Sequence, residues 1–142
     1  MPLKNYTTEI STMKSIEQIQ GKLVAHGARC IMIDYSADHE PESLSFIVPT
    51  PQGDISFRLP AKVAAVQKVL TEQRVTRGVK RDQASRVAWR IIKDWVDAQL
   101  AIIETEMVTL EQVFLPYMLM KDGQRTLYEA MVERRFLLTV GQ

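Results

Sequence analysis

The stretch Leu44-Ser-Phe-Ile-Val-Pro-Thr-Pro-Gln-Gly-Asp-Ile-Ser-Phe-Arg-Leu-Pro-Ala61 decides the fold. Leu44, Phe46 and Val48 alternate with Ser45 and Ile47, the period-two pattern of a strand with one strongly apolar face. Ile55, Phe57 and Leu59 alternate with Ser56 and Arg58 in a second strand. Pro49-Thr-Pro-Gln-Gly53 lies between them as a turn, and the prolines stand at strand ends, where a missing donor is tolerated. Two such strands joined by a short turn make an antiparallel hairpin.

Working outward, the apolar run Arg29–Tyr35 predicts a third strand, set off by the acidic loop 36–42. Asn5–Ile10 adds a fourth at the edge. Ser15-Ile-Glu-Gln18 reads as a capping box for a helix carrying Ile16, Ile19, Leu23 and Val24, which Gly27 stops. Downstream, Pro60 opens a helix over Ala61–Gln73, with Val63, Val66, Val69 and Leu70 as its apolar stripe. Arg74–Arg81 is a basic connector, and Asp82 is the N-cap of the longest helix, Gln83–Met107. Thr109-Leu-Glu-Gln112 and Thr126-Leu-Tyr-Glu129 are further capping boxes, opening short helices to Leu115 and to about Arg135. The expected fold is α+β. An N-terminal helix and a small antiparallel sheet of three to four strands precede a long apolar helix and two shorter ones. With 142 residues, 46% hydrophobic and 25% charged, the chain is read as one domain, sheet-containing over 1–73 and helical over 82–142.

Little in the sequence points to catalysis or metal binding. The single cysteine, Cys30, excludes an internal disulfide and a CxxC zinc pair, and its strand position predicts a small buried side chain. Asp34, Asp38, His39, Glu40 and Glu42 fit neither calcium nor zinc spacing and read as a solvated turn. The six glycines, at 21, 27, 53, 78, 123 and 141, form no phosphate loop. His26 precedes a helix-ending glycine, a structural position. We therefore expect no catalytic residues, metal or cofactor, and a protein that is not an enzyme. MPLKNYTTEIST has no apolar core of a signal peptide and no run is long enough to span a membrane, so the expected location is cytoplasmic.

Charge is the functional signal. The net +1 divides into −2 over residues 1–61, +7 over 62–93 and −4 over 94–142. Along the long helix the polar stripe Arg86, Arg90, Lys93, Asp97, Glu104 puts bases first and acids last, against the helix dipole. Helix stability therefore does not explain it. A basic patch at a helix N-terminus suits phosphates, so Arg74, Arg77, Lys80, Arg81, Arg86, Arg90 and Lys93 are the candidate nucleic-acid-binding residues, with Arg58 extending the surface. Phe46 and Phe57 sit on the core face rather than on a stacking platform, so contact to nucleic acid, single strands included, is expected to be backbone-directed. The alternative is an oligomeric interaction or sequestering protein holding a nucleotide or an acidic protein partner. Two rows on the long helix, one through Ala84, Ala88, Ile91, Trp95, Ala98 and Ile102 and one through Trp89, Ile92, Val96, Leu100, Ile103 and Met107, form an arc wider than one contact needs. That arc predicts a homo-oligomer.

Together Leu44–Ala61, Arg86–Gln99, Glu104–Met107, Phe114–Met118 and Thr126–Glu129 resemble a family of short uncharacterised proteins encoded by bacteriophages, prophages and other mobile elements. The resemblance implies phage replication, recombination or modulation of host defence inside a bacterial cell, and carries over no residue roles. The order helix, three strands, helix is also similar to the double-stranded RNA-binding fold and to the core of some strand-annealing proteins. Here the basic helix start at Lys80-Arg81 belongs to the second helix after the sheet.

Overall fold

The computed structural model describes residues 2–73 and 80–137. The chain runs α1 (Thr12–Ala25), β1 (Cys30–Tyr35), β2 (Pro41–Thr50), β3 (Gly53–Pro60), α2 (Val63–Glu72), α3 (Arg81–Glu104), α4 (Leu110–Phe114), a 3-10 turn at Leu115–Tyr117, and α5 (Leu127–Glu133). The sheet is an antiparallel meander, β1-β2-β3. Its hairpin pairs Leu44 with Leu59, Phe46 with Phe57 and Thr50 with Gly53, whose φ of 114° is natural only to glycine.

The apolar face of the sheet meets Ile16, Ile19 and Leu23 of α1 and Trp89, Val96 and Leu100 of α3, all at most 2% exposed. The buried Trp89 indole N–H donates to the Pro41 carbonyl at 3.2 Å, so no polar atom is stranded there. A second cluster joins Val63 and Leu70 of α2 to Ala84, Val87 and Ala88 of α3, with Leu3 and Tyr6 packed against it. The wide arc of α3 is thus divided between two internal contacts. Near the other end of α3, Ile102 is 38% exposed, and Met107 beyond it is 69% exposed.

Several local expectations change. Ser11, not Ser15, caps α1, accepting from the Lys14 N–H at 3.1 Å; the helix begins a turn earlier and Ser15 is buried within it. Residues 4–7 form a turn and 8–10 are irregular, in place of a fourth strand, because Asn5 takes a φ of 63° and its carbonyl accepts from Thr8 N–H at 3.0 Å. Lys80, not Asp82, occupies the N-cap of α3. Cys30 is exposed, because β1 is an edge strand and its outer sheet face carries no helix there. The boxes at Thr109 and Thr126 form as read. No helix is long and apolar enough to cross a membrane among the described residues.

At the turn before α5, the Asp122 carboxylate is lowered to about 2 by the backbone N–H groups of Arg125 and Gln124 and by the Arg125 side chain. A depressed acid stabilises the fold above its ordinary value of 3.8 and loses that contribution as pH falls through the lowered one. An NMR titration of Asp122 should therefore show its midpoint near 2, with the turn intact at pH 3; a midpoint near 4 would contradict the geometry.

Candidate ligand cleft and the basic stretch

Arg74 and Arg77 lie outside the described residues. The other five candidates do not form one cationic face. Arg81 stands about 140° around the helix from Arg86, because five residues at 3.6 per turn overshoot a full turn. Its guanidinium grips Glu40 through two 2.7 Å hydrogen bonds, which raise its pKa. Arg86, Arg90 and Lys93 do share a face, and α1 lies along it. Arg90 donates to Gln18 Oε1 at 2.6 Å, and Lys93 reaches Asp97 at 2.5 Å with its side chain only 17% exposed. Arg86 donates from Nε to Gln83 Oε1 at 2.9 Å and lies 3.6 Å from Asp82. Lys22 of α1 also reaches Asp97, at 3.4 Å, and Asp94 takes Asn5 at 2.8 Å in place of Arg90. The stripe that opposes the helix dipole is therefore a polar seam between α1 and α3. Lys80 is exposed.

A different place is open to a ligand. Between the end of β3, α2, α3 and residues 116–129 lies a cleft of about 580 Å³, continuous in its lining residues with a smaller one of about 240 Å³ that reaches Trp95. Its walls are Pro60, Val66, Ile91, Ile92, Tyr117 and Tyr128, and two small residues, Ala65 on α2 and Ala88 on α3, also line it. Pro116 lies within the 3-10 turn that follows α4 and brings Tyr117 to the cleft. Phe57 then bridges Met118, Leu119 N–H donates to the Ser56 carbonyl at 2.8 Å, and Leu119 bridges Thr126. These bonds set Thr126–Glu129 beside Arg58.

The polar end of the cleft is Arg58, Lys62 and Glu129, a net charge of +1. Arg58 donates to the Gln124 carbonyl and stands 3.6 Å from Glu129. The Glu129 carboxylate is held below its usual range, chiefly by the Thr126 backbone N–H and hydroxyl and secondarily by Arg58 and Lys62. Lys62 is exposed and forms no ion pair among the described residues. A concave, mostly apolar site of this size with a few convergent charges has the anatomy of a small-molecule pocket.

No family model, curated protein or solved structure matches this chain. The site must be read from its own geometry. A larger polar cleft of about 800 Å³ lies between α1, the β1–β2 loop and the start of α3, but Asp38, Glu40, Glu42 and Asp82 outnumber its Arg81 and Arg86. It repels anions. No group of three or more His, Cys, Asp or Glu is placed to hold a metal among the described residues. Sequence reasoning passed over Lys62, Tyr117, Tyr128 and Glu129 as site residues.

Proposed function

We propose that this chain is a non-enzymatic binding protein whose cleft takes a small molecule with a flat apolar body and one acidic group. A nucleotide is the biological class that fits. The supporting observation is the cleft itself: apolar walls with Tyr117 and Tyr128, and the exposed ammonium of Lys62 at the mouth. Such a protein works by sequestering or sensing its ligand, in the mobile-element setting that the resemblance implies. A second reading, backbone-directed nucleic-acid binding, is supported by the +7 balance over residues 62–93 and by the exposure of Lys62 and Lys80. The internal pairing of Arg81, Arg86, Arg90 and Lys93 places it second.

Thermal unfolding with nucleoside mono- and diphosphates, beside labelled single-stranded DNA titrated at two salt concentrations, separates the two. A ligand at about 100 times its Kd adds about 2.7 kcal/mol of stability and raises the midpoint by several degrees. Stabilisation by the mononucleotides is the expected result. DNA bound with a log–log salt slope of about −0.7 per phosphate contact, without stabilisation by mononucleotides, would reverse the order. Glu129→Gln gives a finer check. Gln preserves the capping box, as Gln112 does at α4, while removing the one negative charge of the cleft. It should tighten binding of an acidic ligand about fivefold, equivalent to the ~1 kcal/mol of a like charge about 4 Å away in bulk water. Unchanged or weaker binding in a titration would place the acidic group elsewhere.

A further inference from the structure

The sheet has two unlike edges. The outer edge of β3 is covered by the chain itself, through the Phe57–Met118 bridge and the Leu119 N–H to Ser56 carbonyl bond. The outer edge of β1 is paired with no segment among the described residues. Edge strands of monomers are usually blunted by lysine, proline or a projecting charge, because their free N–H and C=O groups template another strand. β1 reads Cys-Ile-Met-Ile-Asp-Tyr, with neither lysine nor proline. Its single acid, Asp34, is turned toward β2, where it accepts from the Ser43 hydroxyl at 2.9 Å. Met32 is 57% and Tyr35 50% exposed, Cys30 is exposed, and Ile31 and Ile33 are only partly buried against the core.

We propose that β1 is the pairing edge of a symmetric homodimer, in which β1 of a second copy of this chain adds antiparallel to make a continuous six-stranded sheet. The sequence of the strand argues for a second copy rather than a foreign strand, because it complements itself. A two-fold axis perpendicular to the sheet keeps core-facing side chains on one side only if it passes through a residue position. With the axis at Met32, Ile31 faces Ile33 of the second copy twice on the core side, and Met32 faces itself on the other. In the same register Cys30 of each copy faces Asp34 of the other, and the exposed Arg29 faces Tyr35. Moving the axis to Ile31 sets Ile33 against Arg29, and moving it to Ile33 sets Met32 against Asp34, so either shift loses the apolar match. The first half of the α3 arc is spent on internal contacts, and the exposed Ala98, Ile102 and Met107 at and beyond its other end form the competing surface.

The test is light scattering on the full chain across a wide range of concentration, with three variants. The parent should be a dimer. Met32→Lys, at an exposed position, should weaken the dimer about tenfold or more by setting two like charges opposite one another, with the circular dichroism spectrum unchanged. Ile102→Lys with Met107→Lys should leave it intact. Met32→Cys in a Cys30→Ser background should cross-link to a covalent dimer on oxidation, because opposed Cβ atoms at the axis lie within disulfide reach. A parent that is monomeric at every concentration, a dimer indifferent to Met32→Lys, or one abolished by the α3 double variant would overturn the proposal.

Discussion

Replacing Phe114 by alanine should lower the free energy of unfolding by about 3–5 kcal/mol, the range for emptying a fully buried aromatic site. Phe114 is 0% exposed, and its ring meets Trp95 at 5.5 Å, Phe46 at 5.6 Å and Phe57 at 6.2 Å, each edge-on or nearly so. Such pairs contribute ~0.5–1.5 kcal/mol beyond the buried area. The ring also anchors α4, a helix of only five residues, together with Leu110 and Val113. Its removal should therefore reach further than a local cavity. The 3-10 turn that carries Tyr117 follows directly from Phe114, so the cleft should loosen with it. Urea unfolding of the parent and variant measures the first effect, and amide exchange of residues 116–129 the second. A loss below about 1 kcal/mol would mean that the site collapses and the aromatic cluster is not what fixes the C-terminal segment.

Ala65→Trp should abolish ligand binding while leaving the fold nearly untouched. Ala65 is exposed on α2 and lines the cleft with a small side chain. Tryptophan there fills the volume that a ligand would occupy and displaces no core side chain. The helix-propensity difference between alanine and tryptophan is at most about 0.7 kcal/mol, so the unfolding midpoint should move by only a few degrees. Affinity for an acidic aromatic ligand should fall more than about tenfold, a loss of at least ~1.4 kcal/mol. Calorimetric titration reads that difference directly. Nucleic-acid binding through Lys80 and its neighbours would survive this substitution, so the variant also separates the two functional readings.

The parts of the fold legible in the sequence are those fixed by local periodicity. Alternation placed Leu44, Phe46, Phe57 and Leu59 on the core face, and all four are buried there. The boxes at Thr109 and Thr126 and the stop at Gly27, with its φ of 107°, depend on neighbours within one turn and were readable for that reason. Ser15 illustrates the limit. Its spacing to Gln18 is the same inside a helix as at its start, and only Ser11 with Lys14 shows where the chain enters. The basic stripe of α3 is ambiguous for a different reason. Arg86, Arg90 and Lys93 present one pattern whether they face water or a polar partner, and the Gln18 that claims Arg90 is 72 positions away. Cys30 shows the same ambiguity, since alternation names its face but not what covers it. The cleft was least legible of all. It is made by side chains that are small, at Ala65 and Ala88, and by segments that meet only in three dimensions.

The central claim is that this cleft receives an apolar body with an acidic group. Fluorescence titration with 1-anilinonaphthalene-8-sulfonate, a flat aromatic probe carrying one anionic group, tests it most directly, run on the parent, Ala65→Trp, Lys62→Glu and Glu129→Gln. The account predicts one saturable site on the parent, lost in Ala65→Trp, weakened in Lys62→Glu and strengthened in Glu129→Gln. No saturable binding to the folded parent, or binding that Ala65→Trp leaves unchanged, would contradict it.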